Sequence, residues 1–273
     1  MAVNMATALT MERYGLLSAG RKVLDFGSSN LYTAPANEIA DFVRRHNSSA
    51  RPDLEDWAGR LAAGSLSDAS GQALNRSFFG EMLEEAGMSY DSIDIAAGYK
   101  TAVLDLNVTR LPEKMKSAYD TVLNCGTSEH ILNQMNVFAA IHAATKPGGQ
   151  MFHSVPGAGH LDHGYFCYTG RFFFDLAGYN NYDLVDMWYD EAEAAENIFA
   201  SARQYKAHFP ALKKRLGMIG QQKRETDLDR TRVPVISINV LYRKRTGAPF
   251  MGTVDTSTSV GSVAADVLKN YSA

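Results

Sequence analysis

The run Lys22-Val23-Leu24-Asp25-Phe26-Gly27-Ser28-Ser29-Asn30 constrains the fold more than any other stretch of the chain. Val23 and Leu24 read as the end of a buried strand, and Asp25 stands where that strand stops. Gly27 lets the backbone turn tightly and approach a ligand that a Cβ would obstruct. Open α/β sheets bind ligands beyond the carboxyl ends of their strands, where the strand order reverses. An acidic residue and a small-residue turn at the first strand end therefore mark a candidate cofactor site. The competing reading is an ordinary strand-to-loop turn, because short turn motifs also match by chance.

The residues beyond that turn favour an α/β fold. Further apolar runs predict strands over 90–96, closing at Asp94, over 102–107, with Asp105 near its end, and over 119–125, 150–155, 182–189 and 233–242. Between them the apolar residues recur at helical spacing. Helices are predicted over 11–19, over 38–46 with Asn37 as N-cap, from Asp53 to Gly64, and over 77–86. Another follows Gly126-Thr127-Ser128, with Ile131, Met135, Phe138 and Ala139 on one face, and stops at the turn Lys146-Pro147-Gly148-Gly149. A last one is capped by Thr169 and carries Phe172, Phe173, Leu176 and Ala177. Alternating strands and helices predict a parallel sheet covered on both faces. Three helices after one strand exceed what a crossover needs, so part of 37–76 reads as an insertion.

Composition excludes several function classes. With 45% hydrophobic and 21% charged residues, the 273-residue chain has the material for a sizeable core. A net charge of −3 offers no broad attraction to nucleic acid. Two cysteines, Cys125 and Cys167, without ligand spacing argue against a disulfide framework or a structural zinc site and fit a reducing cytoplasm. Residues 1–10 lack the basic flank of a signal peptide. No run reaches the roughly 18 apolar residues of a membrane span.

The ordered features, Asp25-x-Gly27, acids closing the second and third strands, and Pro-Gly-Gly before the fifth, resemble the class I S-adenosylmethionine-dependent methyltransferases. The resemblance covers about residues 23–245. It implies a Rossmann-like, seven-stranded, mostly parallel sheet with an antiparallel edge strand. The methyltransferase-like domain would then span 1–245, with helical insertions at about 37–76 and 190–232, ahead of a Gly/Ser/Thr-rich tail over 246–273. It also implies S-adenosylmethionine as cofactor. Asp25, Gly27, Ser28 and Ser29 match the motif beside its methionine part, Asp94 the acid that takes the ribose hydroxyls. Asp105 and Leu106 fall beside the adenine, and Asn124, Cys125 and Gly126 next to the sulfonium. Ser29 and Leu31 stand where the family usually has further glycines. That departure leaves room for other chemistry with the same cofactor, or for a scaffold that has lost it.

The densest polar cluster follows the fifth strand, from His153 to Tyr168. A hydroxyl acceptor benefits from a base whose pKa lies near the working pH, and histidine is the natural choice. His153 or His163 is the expected base, with His160, Asp162, Tyr165 and Tyr168 shaping the site and Glu129 and His130 facing the same crevice. Small-molecule O-methylation is the expected reaction. His160, Asp162 and His163 are suitable metal ligands by type, but their spacing matches no strong metal motif, and no metal is expected. The 190–232 insertion reads as a lid or as a homodimer surface.

Overall fold

A computed structural model describes residues 2–160, 163–191 and 235–252. Its elements are β1 (Ala2–Val3), α1 (Met5–Arg13), β2 (Lys22–Phe26), β3 (Asn30–Leu31), α2 (Ala36–His46), α3 (Leu54–Gly64) and α4 (Phe79–Glu85). They continue with β4 (Ser89–Asp94), β5 (Thr101–Val103), β6 (Tyr119–Cys125), α5 (Gln134–Ala144), β7 (Thr145–Ala158), α6 (Gly170–Asn180), β8 (Tyr182–Glu191) and β9 (Ile236–Lys244).

The main sheet has seven strands in the order β5-β4-β2-β6-β7-β9-β8. Its first five strands are parallel, and β9 runs antiparallel to both β7 and β8. The expected antiparallel pair therefore lies at the sheet edge, with β9 as its inner member. Strand order reverses between β2 and β6, so the ends of these two strands frame the switch-point crevice.

Successive strand residues point to opposite faces, and the two faces build separate cores. Leu24, Phe26 and Val122 face α5 and α6 with Phe138, Ile141, Phe173 and Phe174. Val23, Leu123 and Phe152 face the helices α1 to α4 with Met11, Phe42, Phe79 and Leu83. Each such fully buried apolar side chain stabilises the fold by about 1.5–3 kcal/mol relative to exposure.

Several boundaries move for local reasons. The first helix lies at Met5–Arg13 instead of 11–19, because the Asn4 side chain accepts from the Thr7 N–H at 2.9 Å and caps it. Gly15, at φ +70°, ends it. Pro35, and not Asn37, occupies the N-cap of α2. Asp53 sits at the N-cap of α3 but turns its carboxylate to Arg51, 2.6 Å away. The third strand shrinks to Thr101–Val103 because Asp105 folds the chain into a turn, accepting from the Asn107 N–H at 2.8 Å. The fifth strand begins at Thr145, so the Pro-Gly-Gly turn is absorbed into an irregular start of β7, with Gly148 at φ +81°. Thr169 caps α6 as expected. Among the described residues no helix is long and apolar enough to cross a membrane.

The helical insertion expected over 190–232 starts instead as the end of β8 at Asp190 and Glu191, and the rest of it, with most of the tail, lies outside the described residues. Residues 246–252 are held down: the Met251 N–H donates to Asn180 Oδ1 at 2.7 Å, and the Ala248 carbonyl lies 2.9 Å from His142 Nε2.

Candidate active site

The loop after β2 is built around Asp25. Its side chain is fully buried, and one carboxylate oxygen accepts from the Ser29 N–H at 2.8 Å and from the Tyr90 hydroxyl at 2.9 Å. Burial pushes its pKa up against those hydrogen bonds. Gly27 adopts φ +115° and donates its N–H to the Ile93 carbonyl at 2.6 Å, a conformation that penalises any side chain. The Ser28 hydroxyl accepts from the Tyr99 N–H at 3.1 Å, which ties this loop to the segment after β4.

Where the resemblance implies further glycines, the chain runs on as β3. Asn30 and Leu31 pair with Ala2 and Val3, and the Leu31 N–H donates to the Ser77 carbonyl at 2.9 Å. Leu31 is buried and fills the space between these segments. Asp25 Oδ1, Ser29 Oγ and Asn30 Oδ1 are buried there without a hydrogen-bond partner. Buried polar atoms are rarely left unsatisfied, and this group is chemically suited to the amino-acid end of a cofactor.

Beside that loop, beyond the ends of β4, β5 and β6, lies a cavity of about 270 Å³. Asp94, Asp105 and Leu106 line it together with Ile95, Thr127 and His130. Its floor joins to the first strand through the Thr127 hydroxyl, which donates to the Phe26 carbonyl. Two carboxylates among apolar side chains suit a nucleoside, with hydroxyl and amino donors meeting acids and a flat ring meeting Ile95 and Leu106.

At the end of β6 the side chains divide between structure and site. Asn124 accepts from the Ser128 N–H at 3.1 Å and lies 3.1 Å from His153 Nδ1, so its amide is spent inside the fold. Cys125 faces the core, where burial raises its thiol pKa. Gly126, at φ +77°, donates its N–H to the Ser154 carbonyl and bends the chain into the turn Ser128–His130.

Glu129 in that turn is the most unusual group present. Its side chain is 0% exposed, yet neither carboxylate oxygen has a hydrogen-bond partner. Burial raises its pKa from 4.5 to about 7. His163 Nε2 lies 3.4 Å and His130 Nε2 3.8 Å from Glu129 Oε1. The loop carrying His163 is pinned there by the Tyr165 N–H, which donates to the Glu129 carbonyl at 2.8 Å. Gly164 makes that approach feasible, since a Cβ at its position would come within 3.0 Å of Glu129 Cγ and its carbonyl oxygen. His160 joins from the other side, its ring 5.5 Å from that of His163 and its Nε2 buried without a partner. Burial, and next the neighbouring His163, lowers the pKa of both His130 and His160.

The expected residues thus separate. Asp94, Asp105 and Leu106 converge on the cavity, while His130, His163 and Glu129 cluster at its side. His153 is corrected: it is buried among Phe138, Phe173 and Tyr242, and desolvation lowers its pKa to about 3, so it has no access to an acceptor. Tyr168 is corrected as well: its hydroxyl donates to Gln134 Oε1 at 2.6 Å inside the fold. Tyr165 is 73% exposed and stands out from the surface. Asp162 lies outside the described residues. Asn30 and Gly164 escaped the sequence reading, although Gly164 directly follows a candidate base.

No protein-family model matches the sequence, and no curated protein matches it. Among solved structures, a 1,6-didemethyltoxoflavin N1-methyltransferase from Burkholderia thailandensis, determined with S-adenosylhomocysteine, is 12% identical with TM-score 0.43, covering 88% of this chain and 77% of that one. A SAM-dependent methyltransferase from Archaeoglobus fulgidus is 13% identical with TM-score 0.43, covering 88% and 93%. The cyclase SpnF is 13% identical with TM-score 0.41, covering 89% and 80%. None of the three reaches a TM-score of 0.5, so the strand order itself assigns the architecture. The fold is a Rossmann-like, seven-stranded, mostly parallel sheet closed by an antiparallel pair.

Proposed function

We propose that this chain is an S-adenosylmethionine-dependent methyltransferase acting on a small molecule at oxygen. The supporting observation is the convergence, beyond the carboxyl ends of the parallel strands, of the cavity bearing Asp94 and Asp105 with the Glu129–His163 pair. Asp94 would take the ribose hydroxyls, and Asp105 with Leu106 the adenine. The unpartnered atoms of Asp25, Ser29 and Asn30 suit the methionine end.

The cofactor supplies an electrophilic methyl group on sulfur. Held by these residues, it would offer that methyl to an acceptor oxygen, and the acceptor proton would have to leave. His163 is the base best placed to take it: its side chain is 49% exposed, while its Nε2 faces Glu129, leaving the other ring nitrogen for the acceptor. Glu129 orients the ring and stabilises the imidazolium that forms. Walls that align the nucleophile and exclude water account for much of the acceleration in such reactions.

Calorimetric titration with S-adenosylmethionine, S-adenosylhomocysteine and, as control, NADH tests the cofactor. Saturable binding of the first two alone, followed by methyl incorporation into small hydroxyl acceptors, is expected. Binding of neither would overturn the reading in favour of a scaffold, and turnover without a methyl mass gain would point to other chemistry on the same cofactor.

A further inference from the structure

We propose that Glu129, His130 and His163 form a binding site for a divalent transition-metal ion of the zinc type. The metal site itself stands independently of the methyl-transfer reading, and only its effect on an acceptor hydroxyl rests on it. One donor atom from each residue lies within 4.8 Å of the other two. A zinc ion bound tetrahedrally at about 2.1 Å holds its ligand atoms about 3.4 Å apart. The separations from Glu129 Oε1, 3.4 Å to His163 and 3.8 Å to His130, already approach that value.

A second observation points to a cation independently of spacing. Glu129 is completely buried and both of its oxygens lack hydrogen bonds. Buried carboxylates are retained when they are paired or coordinate a metal, since desolvating an uncompensated charge costs several kcal/mol or more. The ring nitrogens drawn up to this carboxylate belong to imidazoles, and imidazoles are also metal ligands.

The donor set selects the ion. Two imidazoles and one carboxylate suit zinc, cobalt or ferrous iron, whereas magnesium and calcium favour all-oxygen shells. Three protein ligands leave a coordination position open, the pattern of reactive rather than structural zinc. His130 also lines the cavity, so an ion held by it would sit beside that space. An acceptor hydroxyl or a water bound there would lose its proton more readily. With the ion in place, His163 serves as ligand, and the ion takes over the lowering of the acceptor's pKa. Sequence spacing concealed the site because the loop, not the sequence, brings His163 to Glu129-His130.

The full-length protein, stripped with chelator, is titrated with Zn²⁺ by calorimetry and with Co²⁺ under visible absorption, both without S-adenosylmethionine. One equivalent of Zn²⁺ should bind, Co²⁺ should give the d–d bands of a low-coordinate nitrogen/oxygen site, and excess Mg²⁺ should displace neither. Glu129→Gln and His163→Ala should each weaken binding by at least about tenfold, while His46→Gln, on the far helix α2, should leave it unchanged. Circular dichroism checks that the variants fold. His163→Ala, on a half-exposed loop, carries the test should Glu129→Gln fail to fold. No saturable binding to the wild-type chain, or equal affinity in wild type and folded variants, overturns the site.

Discussion

Glu129→Gln converts the buried carboxyl into a neutral group of the same shape, and its effect on stability can be worked out in advance. Burial raises the folded-state pKa from 4.5 to about 7, so the native chain holds a proton that the unfolded chain releases between those values. Where the native state binds more protons, stability falls as pH rises. The contribution is fully present below pH 4.5, declines through the interval, and is gone above about 7. At about 1.36 kcal/mol per pH unit, the loss over the interval is about 3 kcal/mol. Glutamine carries no such term. The stability of Glu129→Gln minus that of wild type should therefore increase by about 3 kcal/mol between pH 4.5 and pH 8. Urea denaturation of both proteins across that range, in chelator, measures the difference directly. A difference that stays flat within error would refute the reasoning, because the carboxyl would then ionise as readily in the native state as in the unfolded chain.

Asp94→Ala should weaken S-adenosylmethionine binding by about 2–4 kcal/mol, the cost of removing a charged acceptor of two hydrogen bonds, with little change in Tm; calorimetry beside thermal melting checks both. His153→Ala and His163→Ala should act on different quantities. The first opens a cavity under Phe138 and strands the Asn124 amide, costing about 2–4 kcal/mol of stability; the second should abolish most turnover while the protein melts near the wild-type temperature. Gly27→Ala, at φ +115°, should lose about 1–3 kcal/mol to backbone strain and bind cofactor poorly, as denaturation and titration together would reveal.

The sheet was legible because each strand carries its own apolar run and each stops at a residue type suited to a turn. Tyr119–Cys125 emerges with the expected bounds for that reason. Local hydrogen-bond competition was less visible: Asn4 and Asp105 redirect the backbone through their own side chains, and such competition depends on which conformation wins nearby. At the site, residue type indicated chemistry but not direction. His153 and His163 are both histidines after a strand core, yet strand alternation sends His153 into the packed face towards Phe138. A loop glycine carries His163 to Glu129. Leu31, where a further glycine was expected, pairs with Val3 of β1, a partner far back in the chain.

The position of β9 has a consequence for how the molecule is made. β8 pairs along its length with β9, and β9 separates it from β7. A nascent chain that has just delivered residues 182–191 therefore lacks the strand they pair with. At the usual elongation rate of about 5–20 residues per second, those residues wait several seconds, unpaired, until Ile236–Lys244 arrives. During that interval β7 presents an open edge ready to pair with another chain. Slowing translation between these two strands should increase aggregation, and a product cut short before Lys244 should never close its sheet.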